Sequence, residues 1–130
     1  MTTIPASMRD YYRAWVARVL ADGRFRPAIY AHQRNAADIY ADVRATFDSA
    51  GAREAASFWV SSPVMTFSLA SSPADVGFAF ARVWQGVVHT PETWNGVALT
   101  IDRNVSDSPS PSAAGPVVAS AGQGVGARTP

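Results

Sequence analysis

The chain has 130 residues, with eleven arginines against ten acidic residues and neither lysine nor cysteine. Its net charge of +1 excludes a strongly basic nucleic-acid-binding surface, and the lack of cysteine excludes disulfides and thiolate metal sites. The length suits one domain or part of a larger one.

The first third of the sequence predicts helix, strand and helix in that order. Apolar residues recur at three- and four-residue spacing over residues 8–20, which predicts a helix capped by Ser7 and ended by Gly23. The apolar run 27–31 then predicts a short buried strand. Asn35 is the expected N-cap of a second helix, which Gly51 would end.

The same alternation continues through the next fifty residues. Residues 57–61 predict a second strand, and Ser72 followed by Pro73 and Asp75 predicts the start of a short helix. Residues 81–88 and 97–101 predict two more strands, joined by the turn-rich segment 90–96. Because these strands are apolar throughout, we expect an α/β fold with a mostly parallel sheet covered on both faces.

The C-terminal segment differs in composition from the rest of the chain. From Ser106 to Pro130, 13 of 25 residues are Ser, Pro or Gly, and none is aromatic, Leu or Ile. Such a segment cannot offset the entropy of ordering it. We therefore expect a folded part over residues 1–107 and a disordered tail over residues 108–130.

Neither membrane insertion nor secretion has a signal in the sequence. No run of eighteen apolar residues occurs, so no membrane span is expected. The first residues lack the charged segment and the apolar stretch of a secretory signal. The residues themselves leave the localisation open.

Polar side chains follow each predicted strand. They are His32 and Gln33, Ser61 and Ser62, Gln85, and finally Asp102 and Asn104. In parallel α/β folds, ligands bind at the carboxyl ends of the strands. We therefore expect any binding site to lie among these residues.

Five short motifs occur in the order and spacing of the C-terminal half of a known barrel. They are Tyr-Arg-Ala-Trp at 12–15, Arg-Pro-Ala-Ile-Tyr at 26–30, Phe-Trp-Val at 58–60, Val-Trp-Gln at 83–85 and Ile-Asp-Arg-Asn at 101–104. Over residues 7–107 the chain resembles the glycoside-hydrolase-like domain of secreted actinobacterial proteins. That domain is similar to the family 25 lysozymes, which are N-acetylmuramidases that cut peptidoglycan.

The resemblance implies a fold and a partner. A complete (β/α)8 (TIM) barrel takes about 250 residues, so this chain would supply only the last four strands with their helices. The partner would be a polysaccharide such as peptidoglycan, and the relatives implied by the resemblance are usually secreted.

The resemblance also implies the site. Asp102 matches the acidic residue at the end of the family's last strand, and it is the candidate catalytic residue. The predicted substrate-binding residues share a position at or near the end of a late strand: Tyr30, His32, Trp59, Trp84, Gln85 and Asn104. The Asp-x-Glu pair of the family's main catalytic acids is absent from this sequence, which predicts a chain that is inactive alone.

Each of these candidate residues also has a simpler structural interpretation. An aromatic residue in an apolar strand more often belongs to the core than to a sugar site. Glycosidic cleavage needs two carboxyl groups, and beyond Asp102 only Glu92 and Asp107 lie on nearby loops. His32 and His89 have no ligand spacing to each other or to Asp102, so we expect neither a metal nor another cofactor.

Three functions are consistent with the sequence. The chain is a fragment of a barrel related to cell-wall hydrolases, a non-catalytic glycan-binding module, or a small α/β protein-interaction module. Four strands of a barrel would leave open edges and a bare inner face, so self-association is expected as well.

Overall fold

The computed structural model describes residues 4–48, 54–107 and 111. The elements, in chain order, are α1 (Ala6–Asp22), β1 (Ala28–His32), α2 (Gln33–Phe47), β2 (Ser57–Ser61), a 3-10 turn (Pro73–Val76), β3 (Val83–Trp94) and β4 (Val97–Ser106). The α/β class predicted from the sequence is confirmed. The predicted tail lies outside the described residues, apart from Pro111. Within the described residues, no helix combines the length and the apolar character needed to cross a bilayer.

The four strands form one open sheet in the order β1-β2-β3-β4. β1, β2 and β3 are parallel, whereas β4 runs antiparallel to β3. The reversal comes from the two-residue turn Asn95-Gly96, where both residues have positive φ angles of 49° and 80°. A two-residue turn of this kind joins antiparallel strands only. The expected irregular connection over residues 90–96 is therefore mostly strand.

The helix ends follow the sequence signals in part. Gly23 ends α1 in the left-handed conformation at φ 78°, as predicted, and its N–H binds the Val19 carbonyl. Ser7 lies inside the helix, which begins after Pro5, so the predicted cap is wrong.

The start of α2 also differs from the prediction. The helix begins at Gln33, and the His32 ring caps it by accepting the Arg34 N–H at Nδ1 over 3.2 Å. Asn35 therefore falls within the first turn and is not the cap. α2 ends at Phe47, and Gly51 lies outside the described residues.

The hydrophobic core lies on one face of the sheet. Ile29 and Ala31 of β1 and Phe58 and Val60 of β2 point to this face and pack with residues of both helices. Consecutive right-handed crossovers between sequentially ordered strands place their helices on one side. Among the described residues, no helix lies on the second face, so the expectation of helices covering both faces is not met there.

The connection between β2 and β3 completes this core. Tyr40 of α2 stacks on Phe80 with ring centroids 4.3 Å apart, and Phe80 meets Phe58 edge to face. The predicted short helix is present as the 3-10 turn, with the capping box formed by Ser72 and Asp75.

Candidate functional site

The face of the sheet opposite the helices, which we call the open face, carries the candidate site. The strand register places six side chains of this face near one another: Tyr30, Trp59, Val83, Gln85, Asp102 and Asn104. Tyr30 is level with Trp59, and Gln85 is level with Asn104. Asp102 is two residues from Asn104 along β4 and so points to the same face.

A chain of hydrogen bonds crosses the sheet on this face. The Tyr30 hydroxyl donates to Gln85 Oε1 over 2.7 Å, and Gln85 Nε2 donates to Asp102 Oδ2 over 2.8 Å. The orientation of the amide is settled because a carboxylate can only accept. Gln85 is 6 % exposed, so a nearly buried amide holds the tyrosine and the carboxylate in fixed positions.

Two aromatic rings lie beside this series of hydrogen bonds. Tyr30 and Trp59 meet edge to face with centroids 5.3 Å apart, and their exposures are 56 % and 37 %. Trp59 Nε1 donates to Asn104 Oδ1 over 2.9 Å. The open face therefore presents exposed ring surface next to fixed amide, hydroxyl and carboxylate groups.

An irregularity in β3 brings a backbone donor to the carboxylate. The register of β3 against β4 shifts between Gln85 and Val87 and again between Val87 and Thr90. His89 takes a φ of 57° in this stretch, and its N–H donates to Asp102 Oδ1 over 2.9 Å. Each shift gives β3 one extra residue, as in a β-bulge, and turns the strand locally. No sequence pattern predicted the contribution of His89.

Most of the predicted site residues come together, and two do not. Tyr30, Trp59, Gln85, Asp102 and Asn104 form the cluster just described. His32 lies level with Ser61, which is itself level with Gln85, but its ring is used to cap α2.

Trp84, expected among the substrate-binding residues, does not reach the open face. Its ring is almost fully buried on the helix side of the sheet, where Nε1 donates to the Ser62 carbonyl over 2.8 Å and Phe67 packs against it. Successive residues of a strand point to opposite faces. Since Gln85 faces the open side, Trp84 cannot.

The other candidate carboxylates do not join Asp102. Asp102 and Asn104 face the open side, so the odd-numbered residues of β4 face away from it. Glu92 is level with Leu99 and therefore also faces away. Glu92 accepts hydrogen bonds from Arg103 and from Trp94 Nε1, and the Arg103 guanidinium holds the pKa of Glu92 below its ordinary value. Asp107 pairs with Arg82 at 3.5 Å.

Within the described residues, no three His, Cys, Asp or Glu side chains are grouped so as to hold a metal ion. Comparisons of the chain with protein-family models, with curated proteins and with solved structures found no match.

Proposed function

We propose that this chain is a non-catalytic glycan-binding module, related to the C-terminal half of a glycoside-hydrolase-like barrel, with a peptidoglycan-type polysaccharide as its ligand. The observation that carries the proposal is the Tyr30–Trp59 ring pair beside Gln85, Asp102 and Asn104 on the open face. A sugar ring offers C–H groups that pack on an aromatic face and hydroxyls that bind amides and carboxylates. Convergent polar groups beside apolar surface are typical of ligand sites.

The arrangement of the strands supports the relation to a barrel. β1, β2 and β3 are parallel and in sequential order, and both helices lie on one side. In a (β/α)8 barrel, sequential parallel strands are likewise surrounded by a ring of helices, and the helix-free face becomes the interior. The antiparallel β4 departs from the all-parallel pattern. On this proposal the open face corresponds to the barrel interior, where the sugar-binding groove begins.

The carboxylates argue for binding without cleavage. A glycosidase needs an acid and a second carboxyl group about 5 to 9 Å apart. Asp102 faces the open side, whereas Glu92 and Asp107 are engaged by arginines elsewhere. The open face would therefore hold a sugar chain without supplying the second acid.

The decisive experiment is a binding titration with two matched tryptophan variants. Chitin-type and peptidoglycan-derived oligosaccharides are titrated into the protein by calorimetry, with Trp59→Ala and Trp94→Ala in parallel. The two indoles are matched because both are exposed and each donates Nε1–H over 2.9 Å to a side-chain oxygen. A central aromatic contact is worth about 2 kcal/mol or more, so Trp59→Ala should weaken binding by about 30-fold.

The control decides the interpretation. Trp94 lies at the tip of the β3–β4 hairpin, away from the open-face cluster, and Trp94→Ala should leave the affinity unchanged. The proposal fails if the unaltered protein binds none of these oligosaccharides, or if the two variants lose affinity equally.

A further inference from the structure

The position of α1 follows from the two flanks of α2. Asp42 of α2 accepts hydrogen bonds from Tyr12 and Arg13 of α1, while Tyr40 stacks on Phe80 of the β2–β3 connection. Asp42 and Tyr40 are two residues apart, which is about 200° around a helix. α1 therefore lies on the flank of α2 away from the β2–β3 connection, next to the edge of the sheet formed by β1.

One side of α1 carries exposed apolar residues. Met8, Tyr11 and Trp15, which we call the α1 stripe, are 48 %, 76 % and 49 % exposed. Their spacing of three and four residues places them on one face. Arg13 reaches α2 from the opposite side of the helix. The α1 stripe therefore points away from α2 and outward beyond β1.

The sheet edge beneath this stripe is also open. β1 is the terminal strand of the sheet, and among the described residues no strand pairs with its outer edge. Its sequence, Ala-Ile-Tyr-Ala-His, contains no lysine, arginine, acidic residue or proline. Natural proteins use such residues to block pairing at an exposed edge, so this edge is available for pairing.

The size of this surface can be compared with that of a stable interface. α1 has 17 residues and is about 25 Å long, and a helix layer on a sheet layer is about 20 Å deep. A surface of these dimensions covers about 500 Å² on each copy, or about 1,000 Å² for a pair. That area reaches the threshold of about 1,000 Å² for a biological interface and is typical of a weak, reversible one.

We propose that a second copy of this chain covers this surface, with β1 pairing antiparallel to β1 of the second copy. A two-fold axis normal to the sheet makes the interface self-complementary, as in most homodimers. The same axis keeps the helices of both copies on one side, so that the two α1 stripes meet. The result is a continuous eight-stranded sheet. The proposal does not depend on glycan binding.

The oligomeric state of charge-bearing variants tests this arrangement. Sedimentation velocity from about 1 to 200 µM, without glycan, should show a monomer–dimer equilibrium for the unaltered chain. Tyr11→Glu should weaken the dimer at least tenfold. Leu69→Glu is the matched control, because Leu69 is also 76 % exposed but lies in the β2–β3 connection, and it should leave the dimer intact.

A second variant separates the strand edge from the helix. Ala28→Lys places a charge at an exposed position of β1 and should also weaken the dimer, while circular dichroism shows the native secondary structure. The proposal is overturned if the unaltered chain stays monomeric throughout or forms open-ended aggregates. It is also overturned if the dimer persists in Tyr11→Glu, if Ala28→Lys leaves it intact, or if Leu69→Glu dissociates it equally.

Discussion

Replacement of Gly86 by alanine tests how β3 is held beside the candidate site. A Cβ atom at Gly86 would lie 1.9 Å from Cδ2 of Phe67 and 2.7 Å from its Cγ. Both atoms belong to a ring that packs edge to face on Trp84 at 5.1 Å. The segment that carries this ring is tied to β3, because the Val64 N–H binds the Gly86 carbonyl. The ring therefore cannot yield without losing contacts.

The cost of this substitution can be bounded from these contacts. Forcing an extra methyl group into a packed site costs about 1–3 kcal/mol, and loss of the aromatic pair adds about 0.5–1.5 kcal/mol. The two costs do not add in full, because a ring that moves away from the methyl group relieves the clash as it loses its contact with Trp84. We therefore expect Gly86→Ala to lower the free energy of unfolding by about 2–3 kcal/mol. Gly86 has no positive φ, so this cost is steric and not conformational.

A double-mutant cycle in urea isolates the cause. In a Phe67→Ala background the clash is gone, and Gly86→Ala should then be neutral or stabilising by about 0.4–1 kcal/mol, because alanine restricts the unfolded chain. The coupling between the two positions should be at least about 2 kcal/mol. If Gly86→Ala costs the same with and without the Phe67 ring, the steric explanation is refuted.

Three further predictions each concern one side chain. Neither the unaltered chain nor Asp102→Asn should release reducing ends from peptidoglycan; turnover that Asp102→Asn abolishes would make Asp102 a catalytic acid. Burial and the hydrogen bond to Asp42 raise the pKa of Tyr12 to about 12, so stability should fall as the pH rises from 10 to 12, and in urea titrations Tyr12→Phe should remove this fall. The Arg13 hydrogen bond lowers the pKa of Asp42, so stability present at neutral pH should decline as the pH falls below about 4, less steeply in Asp42→Asn.

The elements of the fold were predictable because their signals are local. Helical periodicity, the glycine after α1 and the Ser-Pro start of the 3-10 turn each depend on neighbouring residues only, and all three predictions are confirmed. The direction of β4 was missed although its signal is equally local. Asn-Gly is the typical two-residue turn of a hairpin, but at 95–96 it lies within the longer turn-rich segment 90–96, which hides this signal.

The faces of the strands were harder to assign than the strands themselves. The central residues of β2 and the first two of β3 are apolar on both faces, so their composition does not tell which residues face the helices. Alternation alone required Trp84 and Gln85 to face opposite sides. A buried amide that ties Tyr30 to Asp102 depends on contacts across three strands, which no local pattern encodes.

Asp102 meets Gln85 for a different reason from the one expected. The sequence predicts Asp102 at the carboxyl end of a parallel strand, whereas Asp102 lies within a strand that returns from a hairpin. Gln85 pairs with Asn104, and Trp94 at the tip of the hairpin pairs with Val97. Between these two pairs, β3 advances by nine residues and β4 by seven. The two register shifts absorb the difference of two residues. β4 itself stays regular, so its alternation keeps Asp102 and Asn104 on the open face, while the irregular β3 bends to bring the His89 N–H to the carboxylate.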